Sequence, residues 1–211
     1  MNKEQLDSLK ELAKSRDYGS GPAHSNQVEK LSLAILQDVV KLGLVKDSSR
    51  DRKIISAAAL LHNIGLPAKK HNEAAFDILK SEIPDKLADT PLSPHDFSDI
   101  LYCILWHRGN TFKRRDDIKI IKRSHIKKLA SIMRVADAMD RSFEQIIEEG
   151  TVQKANNSWA FTLKSKYPMD AEKERAYEKA DLLIKAFNLD GVSFDGTLTK
   201  RYNKTVKAGV G

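Results

Sequence analysis

Apolar residues recur every three to four positions over most of the first 149 residues, and this spacing predicts α-helices. Val28, Leu31 and Ile35, for example, share one face of a helix predicted over about 23–42. Other helices are predicted over about 3–15, 51–63, 68–82 and 124–149. One more helix is predicted to begin with an N-cap and a first-turn proline at Ser93-Pro94 and to end at Gly109. The chain is therefore predicted to be mainly α.

The pattern changes after about residue 150. Residues 151–155 and 158–164 flank Asn156-Asn157, which predicts a β-hairpin. A helix capped by Asp170 is predicted to run to about 188, followed by a strand at 192–194. We therefore expect a helical domain at 1–149, a small α+β lobe at 150–204 and a basic tail at 205–211.

Positive charge is concentrated in one segment. The chain carries a net charge of +7, and residues 107–128 hold nine Lys and Arg residues against two Asp. Such a field attracts polyanions, although a solvated basic loop would have the same composition. The candidate polyanion-binding residues are Arg108, Lys113, Arg114, Arg115, Lys122 and Arg123. Because aromatic residues are not interleaved as in single-strand binders, nucleic acid ranks below polyphosphate and nucleotides as a partner.

Four histidines share an apolar helical context, namely His24, His62, His71 and His107. Asp137 lies beside the inner face of the predicted helix 124–149. A single histidine of this kind is usually a core residue, and that alternative stays open. Several imidazoles and a carboxylate that converge inside a helical bundle would instead suit a divalent transition metal.

Features that would direct the chain out of the cytoplasm are not evident. The N-terminus has no signal-peptide pattern, and the longest aliphatic run, 57–61, is too short to span a bilayer. The only cysteine, Cys103, excludes an intrachain disulfide. We expect a cytoplasmic protein without a membrane partner, and a homodimer is compatible with these features.

Taken in chain order, the motif residues resemble the HD superfamily of metal-dependent phosphohydrolases. The matching segments are His24-Ser25-x-x-Val28, Leu60-Leu61-His62-Asn63-Ile64-Gly65, His71, His107 and Ala136-Asp137. The resemblance narrows to the C-terminal half of exopolyphosphatases and guanosine pentaphosphatases. The segments that carry it are Trp106-His107-Arg108-Gly109, residues 134–142 and the terminal hairpin plus helix with Glu178-Lys179-Ala180-Asp181-Leu182. The actin-like catalytic half of those enzymes has no counterpart here, so its nucleotide-handling activity does not carry over.

The resemblance implies an HD-type helical bundle and a set of metal ligands. His24, His62 and Asp137 would bind one divalent ion such as Mn, Fe, Mg or Zn. The superfamily has a second Asp directly after the motif histidine, whereas this chain has Asn63. An amide oxygen can coordinate a metal but brings no charge, so we expect one metal or none.

Further roles follow from the same resemblance. His71 and His107 would be ligands of a second metal or proton donors, and Arg108 would gather the anionic substrate. Apart from the resemblance, Asp140 lies on the inner stripe of the predicted helix 124–149 and is expected to hold Arg141 or a ligand histidine in place.

Two functions remain open from the sequence. One is a metal-dependent phosphohydrolase acting on a phosphate ester or anhydride, either a nucleotide or polyphosphate. The other is a weakened or inactive HD module that binds polyphosphate, nucleotide or nucleic acid through its basic segment. Metal analysis of the protein beside an Asn63→Asp variant would separate them.

Overall fold

The computed structural model describes residues 2–15, 21–88, 92–109 and 123–198. Within these ranges the chain forms eight helices and one small sheet, which confirms the mainly α prediction. The elements are α1 (Lys3–Ser15), α2 (Gly21–Lys41), α3 (Ser49–Leu61), α4 (His71–Lys86), α5 (Pro94–Trp106), α6 (Arg123–Ala138), β1 (Ile147–Ala155), β2 (Ser158–Ser165), α7 (Asp170–Lys179), α8 (Asp181–Phe187) and β3 (Gly191–Leu198).

Helices α2 and α6 organise the bundle. Helix α2 packs against α3, α6 and β1, while α6 packs against α5, α7 and α8. The predicted stripe of Val28, Leu31 and Ile35 is buried in this core. At the start of α5, the Ser93 hydroxyl accepts a hydrogen bond from the Asp96 amide at 3.1 Å, which confirms the predicted N-cap.

The C-terminal part forms a three-stranded sheet in the order β1-β2-β3. Strands β1 and β2 pair antiparallel around Asn156, whose positive φ of 54° suits the tight turn of the predicted hairpin. Strand β3 pairs parallel to β2, with Phe194 opposite Phe161. Trp159 and Phe161 of β2 are buried in the same hydrophobic cluster as the helices, so the sheet packs directly on the bundle.

The prediction of one helix over 124–149 is wrong. Helix α6 ends at Ala138, and β1 begins at Ile147. The Asp140 carboxylate accepts a hydrogen bond from the Gln145 amide at 2.8 Å, and Phe143 and Gln145 adopt positive φ angles of 61° and 52°, which no helix permits. Phe143 is consequently 47 % exposed instead of lying on an inner helical stripe.

The predicted single helix from Asp170 to about 188 is also wrong. Helix α7 ends at Lys179, and α8 begins at Asp181. Between them the Ala180 amide donates to the Tyr177 carbonyl at 3.2 Å, a tighter i to i−3 bond that breaks the helical ladder. Asp170 is the first residue of α7 and not its cap, since the N-cap position belongs to Met169.

The division at 149/150 stays a prediction, and the basic tail 205–211 lies outside the described residues. None of the helices in the described ranges combines the length and the apolar character needed to cross a membrane.

Candidate metal centre

Three helix ends meet at the candidate centre. His24 lies in the first turn of α2, His62 directly follows the last residue of α3, and Asp137 is the penultimate residue of α6. Both histidines are buried, whereas the Asp137 side chain is 33 % exposed. The arrangement leaves one open side, which a substrate or water could approach.

The ligand atoms of these three residues lie within 4.8 Å of one another. Asp137 Oδ1 is 3.2 Å from His24 Nε2 and 3.3 Å from His62 Nε2. Among the His, Cys, Asp and Glu residues of the described ranges, this trio is the one group that could hold a metal ion. Two imidazoles and one carboxylate are a donor set that suits transition dications.

Hydrogen bonds behind the rings fix which nitrogen faces the centre. His62 Nδ1 donates to the Ala59 carbonyl at 2.7 Å, and His24 Nδ1 donates to Asp140 Oδ2 at 2.8 Å. Both Nε2 atoms therefore present a lone pair when the rings are neutral. His62 Nε2 is fully buried and has no hydrogen-bond partner within the described structure. An orphaned buried nitrogen of this kind fits a metal ligand.

The electrostatics of the trio favour a cation between its members. Burial would lower the pKa of His24, but its bonds to Asp137 and Asp140 raise it to about 9. Burial would likewise raise the pKa of Asp137, yet His24 and His62 hold it well below its usual range. Asp140 thus orients a candidate ligand histidine, which agrees with the second of the two roles expected for it.

His71 and His107 form a second pair beside the trio. Their Nε2 atoms are 3.2 Å apart, and the His107 ring centre is 5.1 Å from that of His62. His107 Nδ1 donates to the Ile104 carbonyl, so His107 Nε2 accepts from His71, whose Nδ1 accepts from Arg108 Nη1 at 2.5 Å.

The pKa values of this pair agree with two neutral rings. Burial, followed by the charge of Arg108, lowers the pKa of His71 to about 4. Burial, followed by His62, lowers the pKa of His107 to about 3. Both rings are neutral at pH 7, and pKa values this far below 7 favour a role as metal ligand over proton transfer.

His24 and Asp137 of the trio line one cavity of about 280 Å³ together with His71 and His107. Asn63 is half-buried and lines this cavity, as does Arg108 at its exposed side. The cavity lining comprises His24, Asn63, Leu66, His71, His107, Arg108, Asp137, Ala138, Asp140, Arg141, Phe143, Arg175 and Lys179. The ligand role of Asn63 stays a prediction, but Asn63 lines the same cavity as His24 and Asp137.

Most of the candidate polyanion segment lies outside the described residues. This holds for Lys113, Arg114, Arg115 and Lys122, and for the side chain of Arg123 at the start of α6. Binding of a polyanion by this segment therefore stays a prediction. Of that set, Arg108 is the residue whose side chain the structure places, and it lies at the cavity.

Sequence reasoning missed two cavity residues, Arg175 and Lys179 of α7. They are one helical turn apart in a segment of alternating charges, where a solvated helix face has the same appearance. A usable signal is the small, buried Ala176 and Ala180 directly after them, which show which side of α7 packs on the bundle.

Comparison with known proteins identifies the family. The HD domain model matches residues 23–142, more than half of the chain, and the matched range contains all of His24, His62 and Asp137. No curated protein matches the chain. HD domains bind divalent metals, and their presence implies a metal-dependent phosphohydrolase-like activity. With its buried His-His-Asp trio at three converging helix ends, the chain belongs to the HD domain family.

Proposed function

We propose that the protein is a metal-dependent phosphohydrolase that cleaves a phosphate ester or anhydride, with a nucleotide or polyphosphate as the substrate. The observation that carries this proposal is the convergence of His24 Nε2, His62 Nε2 and Asp137 Oδ1 within 4.8 Å of one another. Within it, His62 Nε2 is fully buried and makes no hydrogen bond of normal geometry, although Asp137 Oδ1 lies 3.3 Å away. A core histidine with a purely structural role would have both ring nitrogens satisfied or exposed to water.

His24, His62 and Asp137 would hold the ion. A divalent ion bound there supplies an activated water and neutralises phosphate oxygens. Asn63, on the cavity wall, offers an uncharged amide oxygen. Because an amide oxygen bridges two cations poorly, we expect one metal per chain.

The remaining cavity residues would handle the anionic substrate. Arg108 is exposed at the cavity, where its guanidinium can bind phosphate oxygens with two parallel hydrogen bonds. His71, which accepts from Arg108 and donates to His107, would orient the Arg108 guanidinium at the cavity wall. In this proposal Arg108, His71 and His107 position the phosphoryl group, and this positioning is their catalytic role.

We also propose kinship with the C-terminal half of exopolyphosphatases and guanosine pentaphosphatases, and a cytoplasmic location. The support is the resemblance of residues 106–109 and 134–142, together with a terminal hairpin and helix that pack directly on the bundle. Polyanion binding by residues 107–128 belongs to the same proposal, because the positive charge of this segment would attract polyphosphate and its residue Arg108 lines the cavity.

The test is hydrolysis of a panel of phosphomonoesters, phosphodiesters, nucleotides and polyphosphate with added Mn²⁺, Fe²⁺, Mg²⁺ or Zn²⁺. The wild type should turn over at least one of these substrates, and His62→Asn should lose more than ~100-fold of that rate, since even residues behind a metal ligand are worth ~10–100-fold. His95→Asn is the matched control, because His95 is exposed at the opposite end of α5 from His107. Activity that is retained in His62→Asn would contradict the proposal. Activity that is retained after removal of the metal would contradict it as well.

A further inference from the structure

Cations outnumber anions on the wall of the cavity. Four positive side chains line it, namely Arg108, Arg141, Arg175 and Lys179. In the described part of the chain, the carboxylates of the lining are Asp137 and Asp140, and both accept hydrogen bonds from His24. The cavity therefore has an unbalanced positive potential even before a metal ion is added.

Two of these cations come from α7, and the packing of that helix fixes where they lie. Glu172 is buried, and its Oε1 accepts a hydrogen bond from the Ser142 amide at 3.3 Å in the turn after α6. Ala176 and Ala180 are buried against the bundle. Arg175 and Lys179 share this side of α7 and are half-buried, about 6 Å apart along the helix axis, as four residues of an α-helix dictate.

Other cations surround the Lys179 ammonium group. Burial lowers its pKa, and Arg175, Arg134 and Arg108 lower it further. Arg134 is itself engaged, since it bonds Asp181 at 2.8 Å and the Gly109 carbonyl at 2.6 Å. Glu178 bonds Arg175 at 2.7 Å and Asp181 raises the pKa of Lys179, but burial and the three arginines outweigh that effect on Lys179. A bound anion would therefore reduce the repulsion among these cations.

We propose that Arg175 and Lys179 form a phosphate subsite distinct from the metal ligands, so that the cavity binds molecules with two or more linked phosphate groups. One phosphate group would lie toward the trio and Arg108, and the next would lie against α7. This inference rests on the proposed function for its first phosphate position. A volume of about 280 Å³ suits a phosphate chain, since it is below the ~300–1,000 Å³ usual for drug-sized ligands.

The test is calorimetric titration of the full chain, stripped of metal, with inorganic phosphate, pyrophosphate, AMP and ADP at low ionic strength. Stripping removes metal complexation by pyrophosphate as a source of heat and makes the result independent of turnover. We expect pyrophosphate to bind at least tenfold more tightly than phosphate. Binding of ADP tighter than pyrophosphate would assign the subsite to nucleotides, and the reverse order would assign it to inorganic phosphate chains; both results support the subsite.

The preference for two phosphates should depend on α7. In Arg175→Gln/Lys179→Gln the affinity for pyrophosphate should fall at least tenfold while that for phosphate changes less than threefold. Lys179→Arg should retain wild-type affinity because it keeps the charge. A control with the same loss of charge is Lys154→Gln/Lys185→Gln, which changes two exposed lysines outside the cavity.

The outcomes separate this inference from the function proposed above. Equal affinity for phosphate and pyrophosphate, or an unchanged preference in the folded α7 double variant, would overturn the subsite. Failure of hydrolysis with an intact pyrophosphate preference would instead overturn the phosphohydrolase proposal and leave the subsite supported.

Discussion

Replacing Asp140 with Asn should weaken metal binding although Asp140 is not in the proposed ligand set. Its Oδ2 accepts from His24 Nδ1 at 2.8 Å, and its Oδ1 accepts from the Gln145 amide at 2.8 Å, in a fully buried position. An Asn amide can satisfy one of these donors only. If the Asn side-chain oxygen keeps the hydrogen bond from the Gln145 amide, the Asn NH₂ group faces His24 Nδ1. Nδ1 must then accept a hydrogen bond, so the ring proton moves to Nε2, the nitrogen that should bind metal.

The magnitude follows from what such residues contribute elsewhere. Partners behind a metal ligand are worth ~10–100-fold in affinity, or about 1.4–2.8 kcal/mol. The assay is titration of stripped protein with Mn²⁺, followed by electron paramagnetic resonance of the free ion. Asp195→Asn is the control, since Asp195 is exposed on β3 and outside the cavity. A folded Asp140→Asn protein with an unchanged Kd would refute the argument that this carboxylate sets the His24 tautomer.

Three further predictions use the same protein. Asn63→Asp should tighten Mn²⁺ binding at least tenfold, because a carboxylate near a dication gains several kcal/mol at an effective dielectric of about 20 before desolvation; an unchanged Kd would remove residue 63 from the ligand set. The pKa of His24 is about 9, so the metal-free protein holds an extra proton on this ring, and a metal ion must displace that proton. The Kd for Mn²⁺ should therefore fall about tenfold per pH unit from pH 6 to 8. A Kd that is the same in titrations at pH 6, 7 and 8 would contradict this. Gly65→Ala should lower the free energy of unfolding by about 1–3 kcal/mol in urea, because its Cβ would overlap the backbone carbonyl of His71, whereas Gly191→Ala, with ordinary contacts, should be nearly neutral.

Much of the bundle and the members of the trio could be predicted from the sequence. Helical spacing identified α2 and α3 because their apolar faces are continuous, and it placed His24 and His62 at the buried ends of those faces. A short polar side chain before a first-turn proline identified the start of α5. These are local signals that the tertiary structure reinforces.

The errors arose where long-range contacts override local spacing. Asp140, Phe143 and Ile147 keep helical spacing, so the sequence continued α6 by eleven residues beyond Ala138. The bonds of Asp140 to His24, 116 residues away, and to the Gln145 amide instead turn the chain toward β1. The cavity cations on α7 were missed for a similar reason, because alternating charges also suit a solvated helix face, and packing against α6 decides which polar face of α7 points inward.

The presence of a metal ion in the trio can be tested with a crystal of the full chain soaked in Mn²⁺, with anomalous diffraction measured at the manganese edge. We expect one anomalous peak per chain among His24 Nε2, His62 Nε2 and Asp137 Oδ1, the atoms that already lie within 4.8 Å of one another. Ligand distances should be near ~2.0–2.2 Å, as for nitrogen and oxygen ligands of a comparable dication. A well-ordered trio with no peak between its members, or a peak elsewhere on the chain, would show that the trio is not the metal site.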